Sequence, residues 1–444
     1  MALSQSMATP GLTEEQVFAK CERRLIPFLG LLYLVSLVDR LNVGFAALTM
    51  NADLGFTPFV FGFGAGIFFI GYSLFQVPAN LMLVRFGARR WVFAILIVWG
   101  AISTACAFVQ GPISFYVLRF LLGVAEAGLF PGVVLYLTYW FPQERRARAI
   151  ASFMAASPLA FILVGPLSGP LLAMDGLAGL RGWQWLFIIE GLPACFLAFA
   201  LLKLVPDGPE HATWLNADEK RLIAERLARE STIDQPGFWP ALRDPRLYAL
   251  GIAYMAVGAG GYGMRLWLPQ IVQSMGFSNL SNGFVVALPY LLAVGAMIWW
   301  GHSSDRKGER IWHVVLPVLL AAFGFAIGAA VPSSDIVVFV GITLVIIGLD
   351  AVIGPFWSLP SSFLRGPAAA GGIALINTFG TGAGGFIGPS VIGYFRETTG
   401  GYSTSMAVLA IGLLGTCAIV LAFSRAIAPR VASEPTRSAP SSGA

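Results

Sequence analysis

Twelve apolar runs, each about as long as a bilayer crossing, divide this 444-residue sequence. A helix needs about 20 mostly apolar residues to cross the hydrocarbon core. Inside that core only helices and closed barrels satisfy every backbone polar group. The runs read as helices at residues 25–47, 59–84, 90–110, 113–140, 147–173, 183–204, 246–273, 283–301, 311–331, 335–358, 366–394 and 402–424. The expected fold class is therefore all-α and membrane-integral, with twelve transmembrane helices. Charge content agrees: 11% of residues are charged, against about 25% in a typical soluble domain. One long polar segment, 205–245, separates the sixth run from the seventh. It reads PDGPEH, then NADEKRLIAERLARE, then a Pro/Gly/Trp stretch; the middle part has charges at helical spacing and is expected to form a surface helix. The expected layout is a cytoplasmic segment 1–24, a six-helix bundle 25–204, a cytoplasmic loop 205–245, a second six-helix bundle 246–425 and a cytoplasmic tail 426–444.

Lysine and arginine orient these spans. Of the 28 in the chain, 23 lie in one alternate set of loops and ends, from Lys20, Arg23 and Arg24 through Arg365 to Arg437. The opposite loops hold only Arg181 and Arg396. Both termini and the central loop are thus expected in the cytoplasm, and the protein in the cell inner membrane. The formal charge of +5 follows from this asymmetry and calls for no nucleic-acid partner. The cysteines at 21, 106, 195 and 417 form no CxxC pair, and the three histidines fall at or beyond membrane edges. No disulfide framework, metal site or cofactor is expected. The first apolar run is too long, and lacks the small-residue site, for a cleavable signal peptide.

The loop after the eighth span reads GHSSDRKGER, a G-x-x-x-D-R-x-G-x-R pattern formed by Gly301, Asp305, Arg306, Gly308 and Arg310. The loop after the second span, NLMLVRFGARR, is a weaker copy that keeps Arg85, Gly87, Arg89 and Arg90. A matching tight, basic turn at equivalent places in two six-span halves indicates an internal repeat.

Charges inside the spans carry the functional reading. Residues 34–44 read LVSLVDRLNVG, with Asp39 and Arg40 side by side in an apolar run. Each costs roughly 2.5–3.5 kcal/mol at a helix centre on insertion scales, and such residues face a bundle interior or a wet cavity. Neighbours on a helix point about 100° apart, so these two need separate partners. Arg119 and Glu126 lie seven apart on span 4 and share a face, with Gly123 leaving room for another helix. Tyr33 and Arg40 repeat that spacing on span 1, with Ser36 between them, and Tyr72, Gln76 and Asn80 form a stripe on span 2. Glu190, Arg265 and Asp350 are the other ionisable residues read within the spans, with Arg265 in the outer half of span 7.

The repeated loop is similar to the signature of the major facilitator superfamily. VDRLNVG, GYSLFQVPANL, RFLLGVAEAGLFPG, WLFIIEGLP and PFWSLPSSFLRGPAAAGGIALINTFG resemble its anion:cation symporter family in particular. The similarity runs from about residue 20 to 425, and the general look is nearest to bacterial tartrate- and phthalate-type carboxylate permeases. It implies two six-helix bundles, alternating access and a midplane site between the bundles. It also implies that Asp39 and Glu126 are protonation sites, that Arg40 binds the substrate carboxylate and that Arg119 pairs with Glu126. Glu190 matches a family position too, and is read as structural or gating. GPLSGP at 165–170 resembles an exchanger motif but reads better as a bend with close helix packing. The glycines at 258, 260, 261 and 263 suggest a flexible or closely packed span 7.

A mechanism follows from the charges. With Asp39 and Glu126 ionised, Arg40, Arg119 and Arg265 leave one net positive charge; with both acids protonated they leave three. The protonated site holds an organic anion better, so proton and anion are expected to travel together. Tyr33, Tyr72, Gln76, Trp357, Ser358 and Asn377 are expected to complete the substrate site. Arg265, which the family pattern does not explain, is expected to take the second carboxylate of a dianion. The expected partners are a small organic anion, protons and lipid, with the protein a monomer. An anion exchanger or exporter is the alternative. An enzyme is disfavoured, because no histidine lies beyond a membrane edge into the bilayer interior, and there is no HExxH and no GxSxG at a span end.

Overall fold

Hydropathy marks where a chain can cross a bilayer, but capping and packing decide where helices start and stop. The computed structural model describes residues 13–229, 243–364 and 366–431. The first twelve residues, the Pro/Gly/Trp stretch of the central loop, Arg365 and the tail beyond 431, with Arg437, lie outside the described residues. Helix α1 (Glu14–Leu54) has 41 residues, about 60 Å at 1.5 Å per residue and so about twice the hydrocarbon thickness. The apolar run 25–47 is only its middle. The helix opens with Glu14 and Glu15 against its own dipole and ends at Gly55, whose φ of 65° is left-handed.

The early turns of α1 bury Val17, Phe18 and Cys21 and dock the surface helix of the central loop, α9 (Ala217–Ala228). Lys20 Nζ donates to Glu219 at 2.9 Å, and Arg226 pairs with Glu14. Glu219 also closes a reciprocal cap with Asn216, its amide donating to Asn216 Oδ1 and the Asn216 amide to its carboxylate, both at 2.8 Å. Burial works against the Glu219 charge, but Lys20 and the Asn216 amide outweigh it and hold the carboxyl below its ordinary range.

The remaining crossings of the first six spans are α2 (Pro58–Phe86), α3 (Ala88–Ala105), α4 (Pro112–Glu126) with α5 (Leu129–Thr138), α6 (Gln143–Met154) with α7 (Ala156–Leu172), and α8 (Gly182–Leu204). The later six are α10 (Pro245–Ser274), α11 (Asn279–Lys307), α12 (Ile311–Ala330), α13 (Asp335–Ala351) with α14 (Ile353–Ser361), α15 (Gly366–Asn377) with α16 (Gly385–Thr399), and α17 (Ser403–Val431). A glycine-rich π-helical turn, Thr378–Gly384, joins α15 to α16. Among the described residues, ten crossings are long and apolar enough to span a membrane by length and composition. With α10 and the interrupted α15–α16 they make up the twelve expected.

The chain groups into two units by contact, and these do not follow chain order. One is Met1–Gln235 with Tyr262–Leu291 and Gly385–Gly401; the other is Pro236–Gly261, Leu292–Gly384 and Tyr402–Ala444. Glycine packing knits each of them, as expected where lipid supplies no hydrophobic drive between helices. In the first unit a Cβ on Gly44 would sit 2.8 Å from the Leu266 carbonyl, and one on Gly66 2.8 Å from that of Phe386. Gly165 of α7 and Gly283 of α11 each press against the other's carbonyl, so GPLSGP serves close packing. In the second unit Gly324 and Gly341 do the same between α12 and α13, and Gly258 abuts the Gly380 carbonyl of the π turn.

Both basic loops turn on a left-handed glycine, Gly87 at φ 86° and Gly308 at φ 63°, which explains the spacing of the repeated pattern. In the second loop Arg310 donates to Asp305 at 2.7 Å and to Ser304 at 2.8 Å. Gly301 touches nothing near its Cβ position, and Arg306 is exposed. In the first loop Arg89 donates to the Leu202 carbonyl and lies 3.7 Å from Asp207, while Arg85 sits over Phe86.

Gly283→Ala should force α11 off α7 and destabilise the protein by about 1–3 kcal/mol, the usual cost of overpacking. Gly295→Ala, with nothing near its Cβ position, should be neutral or mildly stabilising. Thermal unfolding of the two purified variants in detergent checks this pair.

Candidate functional site

The charges of span 1 find separate partners, as adjacent residues on a helix must. Asp39 is completely buried and points to α3: Trp99 Nε1 donates to it at 2.5 Å and Ser103 Oγ donates as well. Asn42, one turn along α1, donates its amide to the same carboxylate at 3.1 Å. Arg40 points instead to α4, where its Nη2 donates to Glu126 at 2.8 Å. Ser36 Oγ donates to the same Glu126 oxygen at 3.3 Å. Glu126 is completely buried and Arg40 is 6% exposed.

This pairing differs from the one the family resemblance implies. Arg119 does not take Glu126; its three guanidinium nitrogens make no hydrogen bond among the described residues, although the side chain is completely buried. Its guanidinium lies 5.0 Å from the centre of the Phe68 ring. Arg40 lies over the same ring at 5.1 Å and over Tyr72 at 4.8 Å. Two cations thus share one aromatic wall on α2, an arrangement that the negative ring faces favour. Gly123 makes it possible: a Cβ there would collide with the Phe68 carbonyl and come within 2.9 Å of the Tyr72 amide. The small residue lets α4 lie directly on α2.

The other sequence-selected residues are placed as follows. Tyr33 packs its ring against Phe153 at 4.8 Å and Phe130 at 5.5 Å. Gln76 and Asn80 are half-buried on α2. Arg265 is half-buried, with its guanidinium 4.5 Å from the Phe161 ring centre and 5.8 Å from that of Tyr262. Tyr262 in turn acts on Arg40 and packs on Phe69 at 4.3 Å. Glu190 is buried on α8 and accepts from Ser168 at 2.9 Å. Trp357, Ser358 and Asn377 belong to the second unit. There Trp357 meets Tyr254 edge-on at 4.9 Å, Ser358 bonds back to the Pro355 carbonyl, and Asn377 accepts from Thr381 at 2.9 Å. Asp350 is buried at the end of α13 in the same unit.

Sequence reading missed Trp99 and Ser103, the donors that hold Asp39. Their four-residue spacing on span 3 places them on one face, but a tryptophan and a serine in an apolar run draw no notice alone. Phe68 was missed for the same reason: its aromatic face serves the cations, and its type does not reveal it.

A profile described as the Major Facilitator Superfamily matches residues 29–389. A protein of Agrobacterium vitis named "Putative tartrate transporter" is 49% identical over 92% of this chain and 94% of its own length. A "Quinolone resistance transporter" of Acinetobacter baumannii is 41% identical over 90% of this chain and 93% of its own. Among solved structures, a bacterial homologue of the human lysosomal transporter Spinster, in an inward-facing and unoccupied conformation, superposes with a TM-score of 0.77 at 17% identity. That match covers 92% of this chain and 98% of the other, and it bears on fold alone.

Trp99→Phe keeps the ring and removes one donor from the buried Asp39 carboxylate. The expected loss is about 1.5–3 kcal/mol, the worth of a hydrogen bond to a charged group. It is read as a lowered melting temperature of the purified variant; an unchanged melt means that this bond does not hold Asp39.

Proposed function

The chain belongs to the major facilitator superfamily, and on that premise we propose that it imports an organic dianion such as tartrate together with protons. Membership makes it a transporter rather than an enzyme, with the family's twelve-helix, two-bundle fold in a membrane. In this reading residues 25–204 and 246–425 are the two bundles, joined by the cytoplasmic loop 205–245. They alternate access around a midplane site. The termini lie in the cytoplasm, the membrane is the bacterial inner membrane and the protein acts as a monomer. The glycines and charges of the two basic loops, Arg85 to Arg89 and Gly301 to Arg310, act as gates.

One observation carries the reading: the guanidinium proposed to bind a carboxylate already holds one, that of Glu126, at 2.8 Å. A substrate carboxylate competes with Glu126 for Arg40. A proton on Glu126 removes that competitor's charge and frees Arg40 for a two-bonded grip on the substrate. By linkage the bound anion favours the protonated site by the same factor. Arg119, without a hydrogen bond of its own among the described residues, supplies the second cation that keeps the site attractive to anions. Asp39 takes a further proton. The second carboxylate of a dianion goes to Arg265, which shares Tyr262 with Arg40. Tyr33, Tyr72, Gln76, Trp357, Ser358 and Asn377 shape the remainder. Support for a tartrate-like substrate comes from the relative at 49% identity that carries that name.

A second reading, an exchanger or exporter with a quinolone as substrate, takes its support from the name of the relative at 41% identity, "Quinolone resistance transporter". Uptake into proteoliposomes separates the two. Tartrate should accumulate when an inward proton gradient is imposed and should not when it is collapsed. Glu126→Gln imitates the protonated acid, so it should bind tartrate at neutral pH at least as well as the native protein yet fail to accumulate it. Native vesicles that gain no tartrate with the gradient, or a Glu126→Gln variant that still concentrates it, contradict the proposal.

A further inference from the structure

Glu190 is a buried carboxyl to which the proposed cycle gives no task. It lies in α8, 7% exposed, with Ser168 of α7 donating to Oε1 at 2.9 Å. Its Oε2 has no hydrogen-bond partner among the described residues. The other groups that act on it are Asp39 and Asn42, both from α1. No ion pair reaches it among the described residues. From α3, the next residue along, Gly191, is pressed against Ser103 and Thr104, with a Cβ there only 2.8 Å from Ser103 Oγ. None of those side chains titrates.

Asp39 has the opposite surroundings. It receives three donors, from Trp99, Ser103 and Asn42, and faces Arg119 of α4, with Glu126 and Cys106 also in electrostatic range. Three donors and a nearby guanidinium suit an ionised carboxylate. One hydroxyl donor and no ion pair suit a neutral acid, because an unpaired buried charge costs far more than a protonated carboxyl. Two neighbouring carboxyls in contrasting environments divide the roles of acid and anion between them.

Asn42 connects the two. Its Nδ2 donates to Asp39, while its Oδ1 is buried without a donor among the described residues. No hydrogen bond joins Asn42 to Glu190 among the described residues, but each keeps a buried oxygen without a partner and the two side chains interact. A proton on Glu190 gives that side of the site the donor it lacks, and Asn42 Oδ1 can accept it. Turning the amide over exchanges the roles: Nδ2 then serves an ionised Glu190, and Oδ1 accepts from a protonated Asp39. We propose that Asp39 and Glu190 form a carboxyl pair, bridged by the Asn42 amide, that shares one proton, lodged on Glu190 in this structure. Glu190 then sets how readily Asp39 is protonated. This rests on the proton-coupled reading above and adds to it a carboxyl outside the Asp39–Glu126 pair.

The test uses full-length protein. Infrared spectra of the purified native chain at neutral pH should contain the carbonyl stretch of a buried protonated acid. That band should vanish in Glu190→Gln, survive in Glu126→Gln and move in Asn42→Ala, which removes its hydrogen-bond acceptor. In proteoliposomes Glu190→Gln donates to Asn42 permanently and keeps the amide of Asn42 on Asp39. That favours ionised Asp39, so the pH of half-maximal proton-driven uptake should move about one unit to the acid side, a tenfold change in proton concentration. In an Asn42→Ala background the same substitution should leave the profile unmoved. A missing band in the native protein, a band that survives Glu190→Gln, or an acid shift of equal size with and without Asn42 overturns the proposal. The infrared band needs no transport, so it stands even if Glu190→Gln folds poorly. If native uptake needs no proton gradient but the band behaves as described, the symport reading fails and the shared proton remains. If uptake is proton-driven and the band is absent, only the shared proton fails.

Discussion

The arrangement depends on one buried ion pair, Arg40 with Glu126, in a setting where neither charge has water to return to. Removing two charges from water costs several kcal/mol each, and attraction at close range offsets this only when the geometry is good. The 2.8 Å contact between α1 and α4 meets that condition. The same pair is poor as a permanent brace, because any other carboxylate that reaches Arg40 offers it an equivalent partner. A pair that a like anion can replace, and that a proton on one partner dissolves, is suited to a binding site.

The neighbouring charges extend this logic. Arg119 is buried over Phe68 without a hydrogen bond among the described residues, with Asp39 and Glu126 in electrostatic range of it. Asp39 is tied into α3 by Trp99 and Ser103 and into its own helix by Asn42. Glycines make these contacts possible: Gly123 brings α4 onto α2, and Gly191 brings α8 onto α3. Charge placement and close helix packing are thus one design, since bulkier residues at these points would separate the helices that hold the charges.

Much of this was legible in the sequence. Apolar length alone located the crossings, because lipid permits few alternatives to a helix, and the glycine of each basic loop announced its turn. What the sequence concealed were the choices that helical geometry leaves open. The continuation of α1 to Glu14 depends on α9 docking through Lys20 and Glu219, a contact 199 residues apart along the chain. A seven-residue spacing placed Arg119 and Glu126 on one face, but the glutamate reaches across to α1 and the arginine leans on a ring. The same spacing placed Tyr33 with Arg40, yet two turns of separation let the tyrosine join Phe130 and Phe153. Periodicity gives the face of a helix; it does not say which neighbour a long side chain will choose.

The central claim, that substrate and Glu126 compete for Arg40 and that a proton decides the outcome, can be measured without transport. Tartrate is added to the purified protein in weakly buffered solution at neutral pH, and the exchange of protons with the medium is followed with an indicator. The account predicts net proton uptake on binding, fading in acid where the site is already protonated. Binding without proton exchange, or with proton release, would contradict it.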